Sequence, residues 1–191
     1  MPDKIQYAIY LLIVALLTGC ASGNQIGRMP AAGEKAEDHP ATEATLSKVE
    51  SLQVDLAALN RQANLAEARR VARTTIQYSH YLAEKYELVR PAVLHNVLVR
   101  MGIKDRGLCH HWTTDLMGRL ERLDLKTYQL YWGVAHRGSE LREHNSVVIA
   151  AKGQRFEEGM VLDPWRNSGE LYWSRVKNDH YPWQERPRSE W

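Results

Sequence analysis

Cys109, His144 and Asp163 have the residue types, and the order along the chain, of a nucleophile, its base and the acid that orients the base. A thiol attacks a carbonyl as the thiolate, so it needs a base for its proton; an imidazole base needs an acceptor that fixes its tautomer. The spacings are 35 and 19 residues. The first holds one helix and one strand, the second two strands and their turn. Adjacent antiparallel strands would set His144 and Asp163 side by side. The cysteine lies in Arg106-Gly-Leu-Cys-His-His-Trp112, where a glycine-containing loop leads into a predicted helix. A helix start favours negative charge, hence a thiolate, and offers free backbone N–H groups to an oxyanion.

His110 and His111 invite a zinc reading together with Cys109, His144 and Asp163. Successive helical residues point about 100° apart, so Cys109 and His110 are poor joint ligands, and no metal is expected. One of the two histidines should pack near the cleft and the other face solvent. Tyr78 and Tyr81, upstream, are candidates for a second oxyanion donor. Trp165, two residues beyond Asp163, is placed to shield the histidine–aspartate pair from water.

The elements that must position these groups show in the hydrophobic pattern. From Thr45, Leu46, Val49, Leu52, Leu56 and Leu59 recur at three and four residues, an amphipathic helix. A second helix is expected over about 65–86, rich in Ala, Arg and Glu. A third should begin near Pro91 and stop before Gly102, carrying Val93, Leu94, Val97, Leu98 and Met101. A fourth starts at Cys109, with Trp112, Leu116, Leu120 and Leu123. After Asp124 the pattern turns to strands: 127–135, 144–151, Gly159 into Asp163-Pro164, and 171–176. Pro164 should force the chain out of its strand just after Asp163. Helices first and strands after make an α+β fold, with N-terminal helices packed on a small antiparallel sheet. The run Arg69-Arg70-Val71-Ala72-Arg73 reads as a solvated helix face.

Composition adds little: 44% hydrophobic, 25% charged and a net charge of +2. That charge is too small to argue for a nucleic-acid partner. The N-terminus says more. An apolar run from Ile5 to Leu17 is too short for a comfortable transmembrane span of about 20 residues and ends in Leu17-Thr18-Gly19-Cys20. This resembles the lipobox of bacterial lipoproteins. The resemblance implies a signal peptide over 1–19, lipid on Cys20, a flexible tether over 20–44 and a domain over 45–191. Ala21 implies the outer membrane by the same resemblance. With Cys20 lipidated, Cys109 is the single thiol of the mature chain and has no intramolecular disulfide partner in an oxidising compartment.

Gly-x-Cys-x-x-Trp at a helix start, a histidine opening a strand and Leu-Asp-Pro closing the next resemble the transglutaminase-like, papain-related superfamily of cysteine enzymes, over roughly 90–176. The resemblance implies a nucleophile at a helix N-terminus packed on the sheet, with Cys109 as nucleophile, His144 as base and later acid, and Asp163 as orienter. It implies acyl transfer through a thioester and no cofactor. Hydrolysis of a peptide, protein or peptidoglycan-peptide substrate is the expected outcome. Transfer to an amine, as in transglutaminases or arylamine acetyltransferases, is the nearest rival, and a non-catalytic envelope-binding lipoprotein is another. Asn145-Ser146 follows the histidine where the family often carries a hydrophobic or aromatic residue.

Overall fold

The computed structural model describes residues 42–191. The signal-peptide reading, Cys20 and nearly all of the tether lie outside the described residues. The first helix, α1 (Glu43–Ala57), begins two residues before the expected domain start, because Thr42 caps it by accepting from the N–H of Thr45. Of its apolar stripe, Val49, Leu52 and Leu56 are buried while Leu46 is exposed. Helix α2 (Leu65–Lys85) is capped by Asn64, and α3 (Ala92–Arg100) follows Pro91, which is its N-cap. The burial of α3 differs from expectation. Ala92 and His95 form its buried face, whereas Val93, Leu94, Val97 and Met101 are exposed. Helix α4 (Cys109–Glu121) buries Trp112, Leu116 and Leu120.

Five strands form one antiparallel sheet in the order β4-β3-β2-β1-β5: β1 (Tyr128–Ala135), β2 (His144–Ala151), β3 (Met160–Asn167), β4 (Glu170–Arg175) and β5 (Trp183–Arg186). The fold is therefore α+β, four helices with a five-stranded antiparallel sheet. Every residue of β2 is buried, so both faces of the sheet are covered there. Side chains alternate across a strand. Val147 and Ile149 pack on one face with the helices, in a core that includes Leu52, Leu56, Ile76, Leu116 and Leu120. Val148 points to the other face and packs with Phe156, Val161, Val176 and Trp183. That second layer comes from the C-terminal half of the chain and its 3-10 turns.

Two strand features depart from expectation. β3 does not stop at Pro164; it runs on to Asn167 with an irregular register between Asp163 and Asn167. The β2–β3 pairing ends at Leu162, so the ladder needs no donor at Pro164 and the missing N–H leaves nothing unpaired. β5 has no counterpart among the expected strands. It is four residues long between Pro182 and Pro187, too short for alternation to show, and it pairs with β1 through contacts about fifty residues apart.

One buried acid ties the layers together. Glu67 on α2 accepts from the N–H groups of Lys126 and Thr127, each at 2.9 Å, and from the Thr127 hydroxyl at 2.7 Å, where β1 is about to begin. Removing it leaves two N–H groups without their acceptor, at roughly 1–3 kcal/mol each. Glu67→Ala is expected to lower stability by about 2–4 kcal/mol in urea unfolding, whereas substitution at exposed Arg69 leaves the midpoint within about 0.5 kcal/mol of its starting value.

Candidate functional site

Cys109 is the first residue of α4, and the loop in front of it is held from several sides. The Nε2–H of His95, fully buried on α3, donates to the carbonyl of Arg106 at 2.7 Å, while its Nδ1 accepts from the N–H of Val89 at 3.1 Å. The Trp112 indole donates to the carbonyl of Gly107 at 2.9 Å. Gly107 has φ +124°, and a Cβ there would lie 2.2 Å from Nε2 of His95, so no side chain fits.

The paired histidines resolve into different roles. His111 folds back under the loop, and its Nδ1 accepts from the N–H groups of Gly107 at 3.1 Å and Leu108 at 3.2 Å. Burial, with the charges of His110 and Arg106, pushes its pKa down to about 4, so the ring is neutral as an acceptor must be. His110 is exposed and lines the cleft. The N–H groups of Cys109 and His110, in the first turn of α4, have no intrahelical acceptor. Among the described residues, no group of three His, Cys, Asp or Glu side chains is placed to hold a metal ion.

His144 is the first residue of β2, at the end of the sheet next to the start of α4. Its ring is 3% exposed, and Nε2 meets Oδ2 of Asp163 at 2.6 Å. The other nitrogen, Nδ1, is buried and makes no hydrogen bond within the protein. Desolvation alone would lower the pKa of the ring, but the charge and hydrogen bond of Asp163, with a smaller contribution from Cys109, outweigh it and raise it to about 9. Trp165, Tyr181 and Trp183 wall the ring in at centroid distances of 4.7, 5.2 and 5.5 Å. Trp165 thus stands where it was expected, over the histidine.

Asp163 is fully buried and accepts from more than the histidine. The backbone N–H of Arg166 reaches Oδ1 at 3.1 Å, and its Nε–H reaches Oδ2 at 3.0 Å. The far side of the same guanidinium forks onto Asp179 at 3.1 and 2.9 Å, and the Trp183 indole also donates to Asp179 at 3.1 Å. Arg166 lies between the rings of Tyr172 and Tyr181, 3.9 and 4.5 Å from their centroids. Burial and charge therefore alternate outward from the histidine: acid, base, acid.

With Asp163 fully buried behind His144, that histidine and Cys109 line one cleft of about 480 Å³. Its walls also include Asn96, Arg100, Asn145 and Trp165, with the loop 138–143 forming one side. Tyr78 and Tyr81 do not line it. They stack on each other along α2 at 5.4 Å, Tyr81 exposed and Tyr78 packed toward the core, so the expectation of an oxyanion donor there is corrected. Sequence reasoning missed His95, Asn145, Arg166 and Asp179. Asn145 left a trace, a polar side chain directly after His144 in a strand that is apolar only from Val147 on. Compared with family models, curated proteins and solved structures, the chain matches none of them.

Two of the shifted histidines, His144 and His111, set opposite pH dependences. His144 stays charged in the folded chain where an unfolded histidine, with a pKa of 6.5, is neutral. Its contribution to stability is full below about 6.5 and is lost as pH rises through about 9. His111 stays neutral down to about 4, so its contribution holds above about 6.5 and is lost as pH falls. Denaturant midpoints measured against pH are expected to fall on both sides. His144→Gln flattens the alkaline limb, and His111→Asn flattens the acid one.

Proposed function

We propose that the protein is a cysteine enzyme of transglutaminase-like, papain-related type that transfers acyl groups through a thioester on Cys109, with hydrolysis of a peptide or amide bond as the outcome. The observation that carries this reading is the state of the His144 ring. One nitrogen is committed to a buried carboxylate, and the other is buried without a hydrogen bond at the end of the sheet where the thiol lies. A structural histidine in a core has both nitrogens satisfied, as His95 does.

In this mechanism Nδ1 of His144, charged in the resting protein, already holds the proton given up by Cys109, and Asp163 stabilises that imidazolium. The thiolate adds to the substrate carbonyl carbon, and the π electrons move onto the oxygen. Collapse of the tetrahedral species breaks the C–N bond, and the amine leaves with the proton from His144. Water, deprotonated by the same nitrogen, then adds to the thioester; breaking of the C–S bond releases the acid and returns the thiolate beside the charged imidazole. Arg166 and Asp179 hold Asp163 in place without touching the substrate. The lipobox-like Leu17-Thr18-Gly19-Cys20 supports an anchor on the bacterial cell envelope through lipid on Cys20, and Ala21 after it supports the outer membrane. Peptidoglycan peptides and envelope proteins are the substrates within reach.

Iodoacetamide labelling of the full chain tests the thiol chemistry. Cys109 is expected to label at pH values below the range where ordinary thiols, with pKa near ~8.5, lose reactivity, and His144→Ala slows labelling. The same variant lowers peptide turnover by about 10²–10⁴-fold. A Cys109 that labels only after denaturation sinks the reading. Lipidation has a separate test: Cys20→Ser abolishes incorporation of labelled fatty acid, and continued incorporation refutes the anchor.

A further inference from the structure

Asn145 is 5% exposed and follows His144 on β2. Its side chain points to the face opposite the His144 ring. It pairs in register with Val134, and Trp132 lies two residues further along β1, so Asn145 and Trp132 share the face that packs on the helices. There the Trp132 indole nitrogen lies 2.7 Å from the Asn145 carboxamide. An indole N–H can only donate, so the atom facing it is the oxygen. The orientation of the amide follows: its NH₂ group is turned away from Trp132 and toward Cys109.

That NH₂ makes two hydrogen bonds, and both are long. Nδ2 lies 3.9 Å from Sγ of Cys109 and 3.4 Å from Oε1 of Glu143, both long contacts. Glu143 is itself engaged, accepting from the N–H of Gly138 at 2.8 Å. Donors held only by long contacts can shorten onto a better acceptor placed beside the sulfur. The neighbouring Ser146 shows the contrast, since its hydroxyl is satisfied by the carbonyl of Leu162 at 2.7 Å.

We infer that the Asn145 carboxamide, locked by Trp132, is the side-chain donor of an oxyanion hole at Cys109, working with the free backbone N–H groups at the start of α4. The inference rests on the proposed acyl-transfer chemistry. When the thiolate adds to a carbonyl carbon, the oxygen of the new tetrahedral centre lies beside the sulfur. It gains negative charge as the C=O π bond breaks. A donor that already faces the sulfur over a long contact can shorten its bond to that oxygen, so its stabilisation is realised in the transition state more than in the resting state. Collapse restores the C=O bond and releases the donor. Asn145 thereby becomes a catalytic residue for any substrate that reacts through a carbonyl, whether the acyl acceptor is water or an amine.

Two reactions of the same thiol separate this role from others. Alkylation by iodoacetamide displaces iodide at a saturated carbon and builds no oxyanion. Acylation by p-nitrophenyl acetate, followed as the burst of p-nitrophenolate, does build one. In the full chain, Asn145→Ala and the closely sized Asn145→Leu are expected to alkylate Cys109 at the wild-type rate and to acylate it about 10²–10³-fold more slowly. Trp132→Phe, which frees the amide to rotate, shows the same split in weaker form. Acylation at the wild-type rate in both Asn145 variants overturns the assignment. So does a parallel loss of alkylation and acylation, which marks Asn145 as a support for the thiolate or the fold. A wild-type protein in which native Cys109 is neither alkylated nor acylated refutes the enzyme reading itself, and the oxyanion role with it.

Discussion

The hydrogen-bonded pair of His144 and Asp163 is the interaction on which the rest of the site depends. A carboxylate with no exposed surface is stable only when its charge and lone pairs are answered by neighbours. His144 answers one oxygen of Asp163, and Arg166 answers both. The guanidinium then needs a partner of its own, which Asp179 supplies, and Asp179 is held in turn by the Trp183 indole and the N–H of Tyr181. One buried charge on β3 therefore brings the C-terminal segment across the outer face of the sheet. The same segment provides the aromatic walls of His144 and β5, which covers the edge of β1.

The thiol is positioned by a second and separate set of constraints. Its helix start is fixed by hydrogen bonds from His95 and Trp112 and by the two N–H groups that His111 accepts. Capping by His111 satisfies the groups before the cysteine, not the cysteine itself. The turn is rigid while its next N–H groups stay open to the cleft. Gly107 is required because the His95 ring fills the space a side chain would take. Neither set contains the other; they meet where β2 begins and again at Trp165, which packs with Trp112 and donates to Asn96 of α3.

Much of this was legible from residue order. The stripe of Val49, Leu52 and Leu56, the strand-like runs of β1 and β2, and the turn before Cys109 depend on neighbours within a few residues. Local sterics and solvent pattern write them directly into the chain. Cys109, His144 and Asp163 stood out because few residue types can act as nucleophile, base and orienting acid. The α3 helix shows where that logic stops. Its apolar residues marked a helix correctly, yet the face that packs inward holds Ala92 and His95, because the loop before Cys109 and not an apolar core lies beneath it.

What the chain alone determined is the helices α1 to α4, the strands β1 to β4 and three candidate side chains. What the tertiary structure decided is which way each polar side chain points and what it meets. His95, Arg166 and Asp179 carry ordinary polar or charged side chains, and nothing in their immediate neighbours sets them apart as determinants of the site. His95 meets Arg106, Asn145 meets Trp132 and Cys109, and Arg166 meets Asp179 only after separate elements have packed. Hydrogen bonds depend on distance and angle in space, and residue order fixes neither beyond a few positions along the chain. The polar residue after His144 was visible as a residue type. Its meaning came from the indole that turns the amide toward the thiol.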